Sequence, residues 1–386
     1  YKEKYMLEAN GRLDGSEKFP KSKRYGFFPS VSAAWRISAE PFMEPFSGVL
    51  SNLKLRTSWG RAGTDNIGQF QYMSAYGTGG DAVFGGQNPE IAPGYTETRF
   101  PNPNITWETS EMFNIGIDAS FFNGKLNLEA DWFYKKTNDI LRERTDMPAI
   151  LGYKLPAANV GKVDNRGIDL NITHRNHLRD FNYSIAGNLT WARNKVIDLL
   201  EPAGEKNNPR QRSTGHSMSQ YFGYEALGLF QSDEEANNWP QPQFGKAKAG
   251  DIKYKDQNGD GIIDAEDEIA IGRSNYPELV YGLNLNAEWK GFDITFFFQG
   301  AALADFYYNG YLAFPYIEGR GGALLEHHIG NTWTPENPKA EFPRLYYGGN
   351  ANNQLFSSFW MRNGSYLRLK NVEIGYDFKK LLLSKV

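Results

Sequence analysis

The 386-residue sequence has no cysteine, so it offers neither disulfide staples nor thiolate metal sites. It has no apolar run of the roughly 18 residues or more that a membrane-spanning helix needs, which excludes helical spans but leaves open strands of about 9–11 alternating residues. A mean hydropathy of −0.58 therefore does not decide the matter. One-signed charge is also lacking: 42 Lys and Arg stand against 45 Asp and Glu, a net charge of −3, and they are dispersed. No nucleic-acid groove and no acidic tail is expected from that distribution. Histidines are few, and His174, His177, His216, His327 and His328 show no zinc-ligand spacing; the adjacent pair His327-His328 is expected to sit in a loop with its rings diverging. The Gly77-Thr78-Gly79-Gly80 stretch lacks the lysine and following helix of a phosphate loop, no serine sits in a nucleophile elbow, and the carboxylates are too scattered to nominate an acid–base pair. No catalytic function is expected.

What the sequence does have is 22 Tyr, 26 Phe, 9 Trp and 40 Gly, a mixture that favours strands and turns. Period-2 alternation dominates. It is clearest where Phe113, Ile115, Ile117, Ala119 and Phe121 interleave with Asn114, Gly116, Asp118 and Ser120. The pattern recurs at Leu126, Leu128, Ala130, Trp132 and Tyr134, at Ile168, Leu170 and Ile172, at Tyr183, Ile185, Leu189 and Trp191, and at Tyr281, Leu283, Leu285, Ala287 and Trp289. Tight turns are expected at Asn123-Gly124 and Lys290-Gly291, with a short link from Asn176 to Asp180. Between these hairpins the connections are long, near 61–110, 138–161, 195–276 and 305–365.

Short and long connections that alternate along the chain predict an all-β fold, an antiparallel transmembrane β-barrel with short periplasmic turns and long extracellular loops. About ten strands are legible, roughly half of the 22 in large outer-membrane transporters, too few to close alone. A slipped alternation between Leu369 and Val372 predicts a β-bulge. Trp35, Trp132, Tyr134, Trp191 and Trp289 suit interfacial aromatic girdles. No signal peptide is visible at Tyr1, and the sequence stops near Leu381–Val386 without a closing strand, so both ends are expected to be cuts within a longer protein. A soluble β-rich carbohydrate-binding or hydrolytic protein is the alternative, with the same apolar face as its core.

Several strings carry a family resemblance. They are the segments Arg12–Met43, Leu50–Tyr72, Trp107–Leu141, Asn159–Leu170 (NVGKVDNRGIDL), Gly250–Gly300 (opening GDIKYKDQNGDGIIDAEDE) and Gly364–Tyr376 (GSYLRLKNVEIGY). Together, in this order, the chain resembles the SusC/RagA family of TonB-dependent transporters over nearly its whole length. The resemblance implies a barrel of about 22 strands in the outer membrane of a Gram-negative bacterium. It also implies an N-terminal plug outside this chain, a TonB complex that supplies energy through it, and a SusD-like surface lipoprotein as lid. Oligosaccharide or peptide import, and a pair of importer–lid units, are further implications. A surface receptor or adhesin on the same barrel, binding without uptake, is the alternative function.

Two candidate sites stand out. The first runs Asp256-Gln257-Asn258-Gly259-Asp260-Gly261-Ile262-Ile263-Asp264-Ala265-Glu266-Asp267, an EF-hand-like order of donors. Asp256, Asn258 and Asp260 would present side-chain oxygens, Ile262 its carbonyl, and Asp264 and Asp267 the last carboxylates, around a structural Ca2+. Asp267 is one methylene shorter than the usual glutamate, and no flanking helices are expected. The second site is a set of aromatic side chains in the long loops, Tyr221, Tyr224, Trp239, Tyr308, Tyr311 and Trp333, suited to stacking on sugar rings or peptide side chains of a substrate.

Overall fold

The computed structural model describes residues 1–86, 89–143, 155–201, 210, 212–316 and 323–378. Its main element is a 10-stranded sheet, whose strands we number β1 Tyr5–Gly15, β2 Tyr25–Arg36, β3 Leu50–Thr64, β4 Glu108–Phe121, β5 Leu126–Glu143, β6 Ala157–Leu178, β7 Phe181–Asp198, β8 Leu279–Trp289, β9 Phe292–Ala302 and β10 Tyr366–Tyr376. Each strand pairs antiparallel with its neighbours in sequence, so the sheet is a simple meander. Tight turns are possible because their residues accept left-handed backbone: Asn123 and Gly124 have φ of 56° and 83°, Lys290 and Gly291 of 48° and 90°. The link between β6 and β7 is tighter than the sequence pattern suggests, since pairing continues to Leu178↔Phe181. The long connections run over 65–107, 144–156, 199–278 and 303–365: the first two are shorter at both ends than the sequence places them, because pairing continues beyond the alternating stretch, the third lies slightly later in the chain, and the last begins slightly earlier. The slipped alternation in β10 is a register shift opposite Phe297 and Phe298 that leaves Lys370 out of the pairing.

Register sorts every side chain onto one of two faces. One row across the sheet reads Leu55, Ile117, Ala130, Leu170, Leu189 and Tyr281. The neighbouring row on the other face reads Arg56, Gly116, Asp131, Asp169, Thr190 and Val280. The apolar face has no layer packed on it: Ile115, Ile117, Ile168, Ile172 and Ile185 are 40, 40, 43, 40 and 44% exposed. A soluble sandwich would bury such a face against a second sheet, and leaving it in water would forfeit about 1.5–3 kcal/mol per large side chain. Aromatic residues cap the band at the tight-turn end, with Phe181, Trp289, Phe292 and Tyr376 paired in a row. The sheet has the form of a barrel wall, with one apolar, uncovered face and one polar face.

The polar face holds its charges in pairs. Arg56 reaches Asp118 at 2.7 Å and Asp131 at 2.9 Å, and Lys54 reaches Asp118 at 3.0 Å. Gly116 makes that crossing possible, because a Cβ there would stand 2.1 Å from Asp131 Oδ1 and 3.0 Å from Arg56 Nη2.

The clusters of buried apolar residues are instead built mainly from the connections. A small core gathers Phe19, Ile105 and Trp107 of the connections with Phe28 of β2 and Ala157 at the start of β6. A larger one, with Tyr224, Leu229, Ile252, Tyr254, Ile263, Ala313, Trp333, Phe342 and Trp360, joins the connection 199–278 to the connection 303–365.

Candidate functional site

The two longest connections fold as one cluster because they share a core and a bridge joins Tyr224 to Ser357, while their small strands pair within each connection. Ala226–Leu229 pairs with Ile252–Tyr254, and a short helix, α1 Asp233–Asn238, is capped by Ser232, whose hydroxyl accepts from Glu235 N. Across the two connections the joint is polar. Asp251, fully buried, accepts from Arg344 Nε at 2.8 Å and Nη2 at 3.2 Å, from Asn350 Nδ2 and Asn353 Nδ2 at 3.0 Å each, and from Lys248 N at 2.9 Å. Asn353 Oδ1 in turn accepts from Ile252 N, Asn352 Nδ2 donates to Ile252 O, and Trp360 Nε1 donates to Asn353 O. With its donors all in place, this carboxylate clasps the two connections together. The sequence pattern did not single out Asp251, Arg344, Asn350, Asn352 or Asn353; an Asp after Gly250 and an Asn run after Gly348-Gly349 look like ordinary turn chemistry.

The six aromatic candidates are not equivalent. Tyr224 (4% exposed) and Trp333 (9%) belong to the core of the cluster, so in this structure they pack rather than present a face to a solute, a correction to the expectation from sequence. Burial, and after it the carboxylates of Glu268, Asp264 and Asp267, push the Tyr224 phenol far up from its ordinary value. Trp239 is half-buried, donating from its indole to Tyr254 O at 2.7 Å beneath Lys253 Nζ, 4.8 Å from the ring centroid. Tyr221 packs on Phe356, and Tyr308 donates to Leu312 O at 2.6 Å under the Arg362 guanidinium. Tyr311 is 50% exposed. A cavity of about 30 Å3 beside Phe314, Phe342, Arg344 and Trp360 has room for about one water and includes none of the six.

His327 and His328 do not diverge. A single 3-10 turn, Glu326–His328, brings both Nε2 atoms to the carbonyl of Leu312, at 2.8 and 3.1 Å, with ring centroids 4.0 Å apart. Adjacent side chains splay apart in a strand, whereas the turn lets them lie together.

The acidic loop is ordered by its own backbone. Asp256 accepts from Gly259 N and Gly261 N at 2.5 and 2.8 Å, Asn258 from Asp260 N at 3.1 Å, Asp260 from Ile262 N at 2.8 Å and Asp264 from Glu266 N at 2.8 Å. Asp267 is fully buried and accepts from Gln257 N and Asp264 N at 2.7 and 2.9 Å. Gly259 and Gly261, at φ of 79° and 85°, make the sharp bend. The parallel pairing with Gln241–Pro242 uses the carbonyls of Gly261 and Ile263, on either side of Ile262. Among the described residues no three acidic or histidine side chains converge as a metal-holding group. The carboxylates hold amides in this arrangement, and Asn258 Nδ2 donates to Asp260 Oδ2 at 2.9 Å.

Comparison with known proteins adds the family. Residues 1–385 match the family described as TonB dependent receptor-like, beta-barrel. TonB-dependent receptor P26 of Formosa agariphila is 34% identical over 390 residues, which cover 98% of this chain and 38% of that protein. The TonB-dependent receptor SusC of Bacteroides thetaiotaomicron is 28% identical over 392 residues, 98% of this chain and 37% of that protein. The solved structure of the RagAB peptide importer in its closed-closed state superposes with a TM-score of 0.75 at 24% identity, covering 97% of this chain and 39% of that one, a likeness of fold. The chain thus spans under two fifths of these relatives, and the part it spans is wall strands and their connections. The chain belongs to the TonB-dependent receptor β-barrel family.

Proposed function

We propose that this chain is part of the wall of a TonB-dependent importer in the outer membrane of a Gram-negative bacterium. The long connections face the exterior, and the clasped cluster is the part that meets cargo or lid. The carrying observation is a ten-stranded sheet with an unlayered apolar face and a charge-paired polar face, in a chain whose family is that of SusC. Cargo is an oligosaccharide or a peptide, the lid a SusD-like lipoprotein, and the role is binding and passage rather than catalysis. Of the aromatic candidates, Tyr221, Trp239, Tyr308 and Tyr311 remain as contacts for cargo. The test is deletion of the full-length gene, with growth and uptake measured on a panel of glycans and peptides. Loss on one class identifies the cargo; undiminished uptake on every one, with surface binding lost, would move the reading to the receptor or adhesin.

We also propose that the 256–267 loop binds a structural Ca2+ when carboxylates now held by amides rotate inward. The donor order of Asp256, Asn258, Asp260, Ile262, Asp264 and Asp267 supports this. Titration calorimetry on the full-length protein should give heat with calcium that disappears on Asp260→Ala. No heat from the unaltered protein leaves a loop built on amides alone.

A further inference from the structure

Along the apolar face, residues paired across β4 to β8 form rows. One row reads Ile115, Trp132, Ile168, Trp191 and Leu279. The next row away from the tight turns reads Phe113, Tyr134, Arg166 and Arg193, and the one beyond it Glu111, Lys136, Asp164 and Lys195. Over two rows the face changes from isoleucine and tryptophan to four cations on three neighbouring strands.

The height of the change matters. β8 has 11 residues, and its pairing with Phe181–Trp191 runs from the aromatic row at the tight turns to the row of Trp191 and Leu279. That length matches the roughly 9–11 residues of a tilted strand that crosses a bilayer. Arg166, Arg193, Lys136 and Lys195 therefore stand at headgroup level, on the side of the wall that faces lipid.

Their charge is only partly answered. Glu278 lies 3.3 Å from Arg193, and Asp164 is occupied by the Tyr134 hydroxyl at 2.5 Å. Lys136 Nζ lies 5.5 Å from the centroid of the Tyr134 ring. Among the described residues no carboxylate makes an ion pair with Arg166 or Lys195 within 4.0 Å. Arg166, Arg193 and Lys195 line a polar cavity of about 400 Å3 together with Tyr134, Asp164 and Asn194, and Lys136, the cross-strand neighbour of Asp164, stands outside that lining. Arginine forks and lysine ammonium groups around a polar recess suit a phosphate.

We propose that Lys136, Arg166, Arg193 and Lys195 form a docking site for the phosphate-bearing headgroup of an outer-leaflet glycolipid. A soluble cargo crossing the barrel meets the opposite face; a lipid headgroup meets this one. The inference rests on the proposed orientation, with the long connections outside the cell.

The test uses the full-length receptor in neutral detergent, with lipid A, its dephosphorylated form and inorganic phosphate as probes and native mass spectrometry as readout. The unaltered receptor should retain phosphorylated lipid A and release the dephosphorylated form. The triple variant Arg166→Ala, Arg193→Ala, Lys195→Ala should weaken retention by about tenfold or more, while Arg368→Ala on the polar face leaves it unchanged. Heat-modifiable migration on gels checks that each variant folds. Equal retention of both lipids, or by the triple variant when folded, overturns the proposal; inorganic phosphate binding as tightly as lipid A overturns the lipid assignment. Orientation is checked separately by labelling Asn237→Cys on intact cells with an impermeant maleimide. Absence of label removes the orientation whatever the lipid result.

Discussion

A buried carboxylate with five donors is sensitive to the loss of any of them. Removing one partner of a buried pair costs about 3–5 kcal/mol, mostly through the charge left behind. Asp251→Ala would strand the Arg344 guanidinium and the amides of Asn350 and Asn353. The expected outcome is a loss of hydrogen-exchange protection in 250–254 and 350–360, with the barrel wall still protected. Protection unchanged in both segments would show that the clasp is not what joins them.

His328 gives the same cluster a pH dependence. Burial, then the neighbouring His327, hold its imidazolium form below the ordinary histidine range. The contacts agree: Nδ1 accepts from Leu325 N at 3.3 Å while Nε2 faces Leu312 O, so a second ring proton would meet an N–H. With the folded value depressed, the unfolded cluster binds more protons, and stability present above about pH 6.5 falls as pH drops through and below it. Protection factors in 310–314 and 325–333, corrected for intrinsic exchange, should be lower at pH 5.5 than at pH 7.5. His328→Gln should flatten that difference.

On the level of strands, face decides what a substitution costs. Leu285 pairs with Ile185 and Phe296 in the apolar row, while Asn284, one position away, pairs with Ala186 and Phe297 on the polar side. Leu285→Arg puts a charge into lipid near the middle of β8, at a cost of about 2–4 kcal/mol. Asn284→Arg puts the same group into the lumen. Urea titration of the folded, heat-modifiable form should show the first variant clearly destabilised and the second near the unaltered protein. Equal destabilisation would mean that the apolar row does not face lipid.

For the molecule as a whole, the sheet has two edges. Among the described residues β1 and β10 each pair on one side only, and a span with open backbone edges is not tolerated in a bilayer. Residues 1–386 expressed alone should fail to give a heat-modifiable monomer, whereas the full-length protein should give one by gel migration and size exclusion. A discrete folded monomer from the short chain would show that its edges close on each other.

The strand faces, the Asn123-Gly124 and Lys290-Gly291 turns, the bulge at Lys370 and the donor order from Asp256 to Asp267 are legible in residue order alone. All are local, governed by a side-chain period of two and by which residues accept positive φ. Residue order does not show that Tyr224 and Trp333 lie inside, that His327 and His328 converge, or that Asp251 joins residues 93, 99 and 102 positions away. Nor does it show that strand pairing gathers Lys136, Arg166, Arg193 and Lys195 beyond the row of Trp132, Ile168 and Trp191, at the end of the wall away from the tight turns. The spacing of residues along a chain carries no record of such encounters, because they depend on how strands pair and how far pairing continues past the last alternating residue.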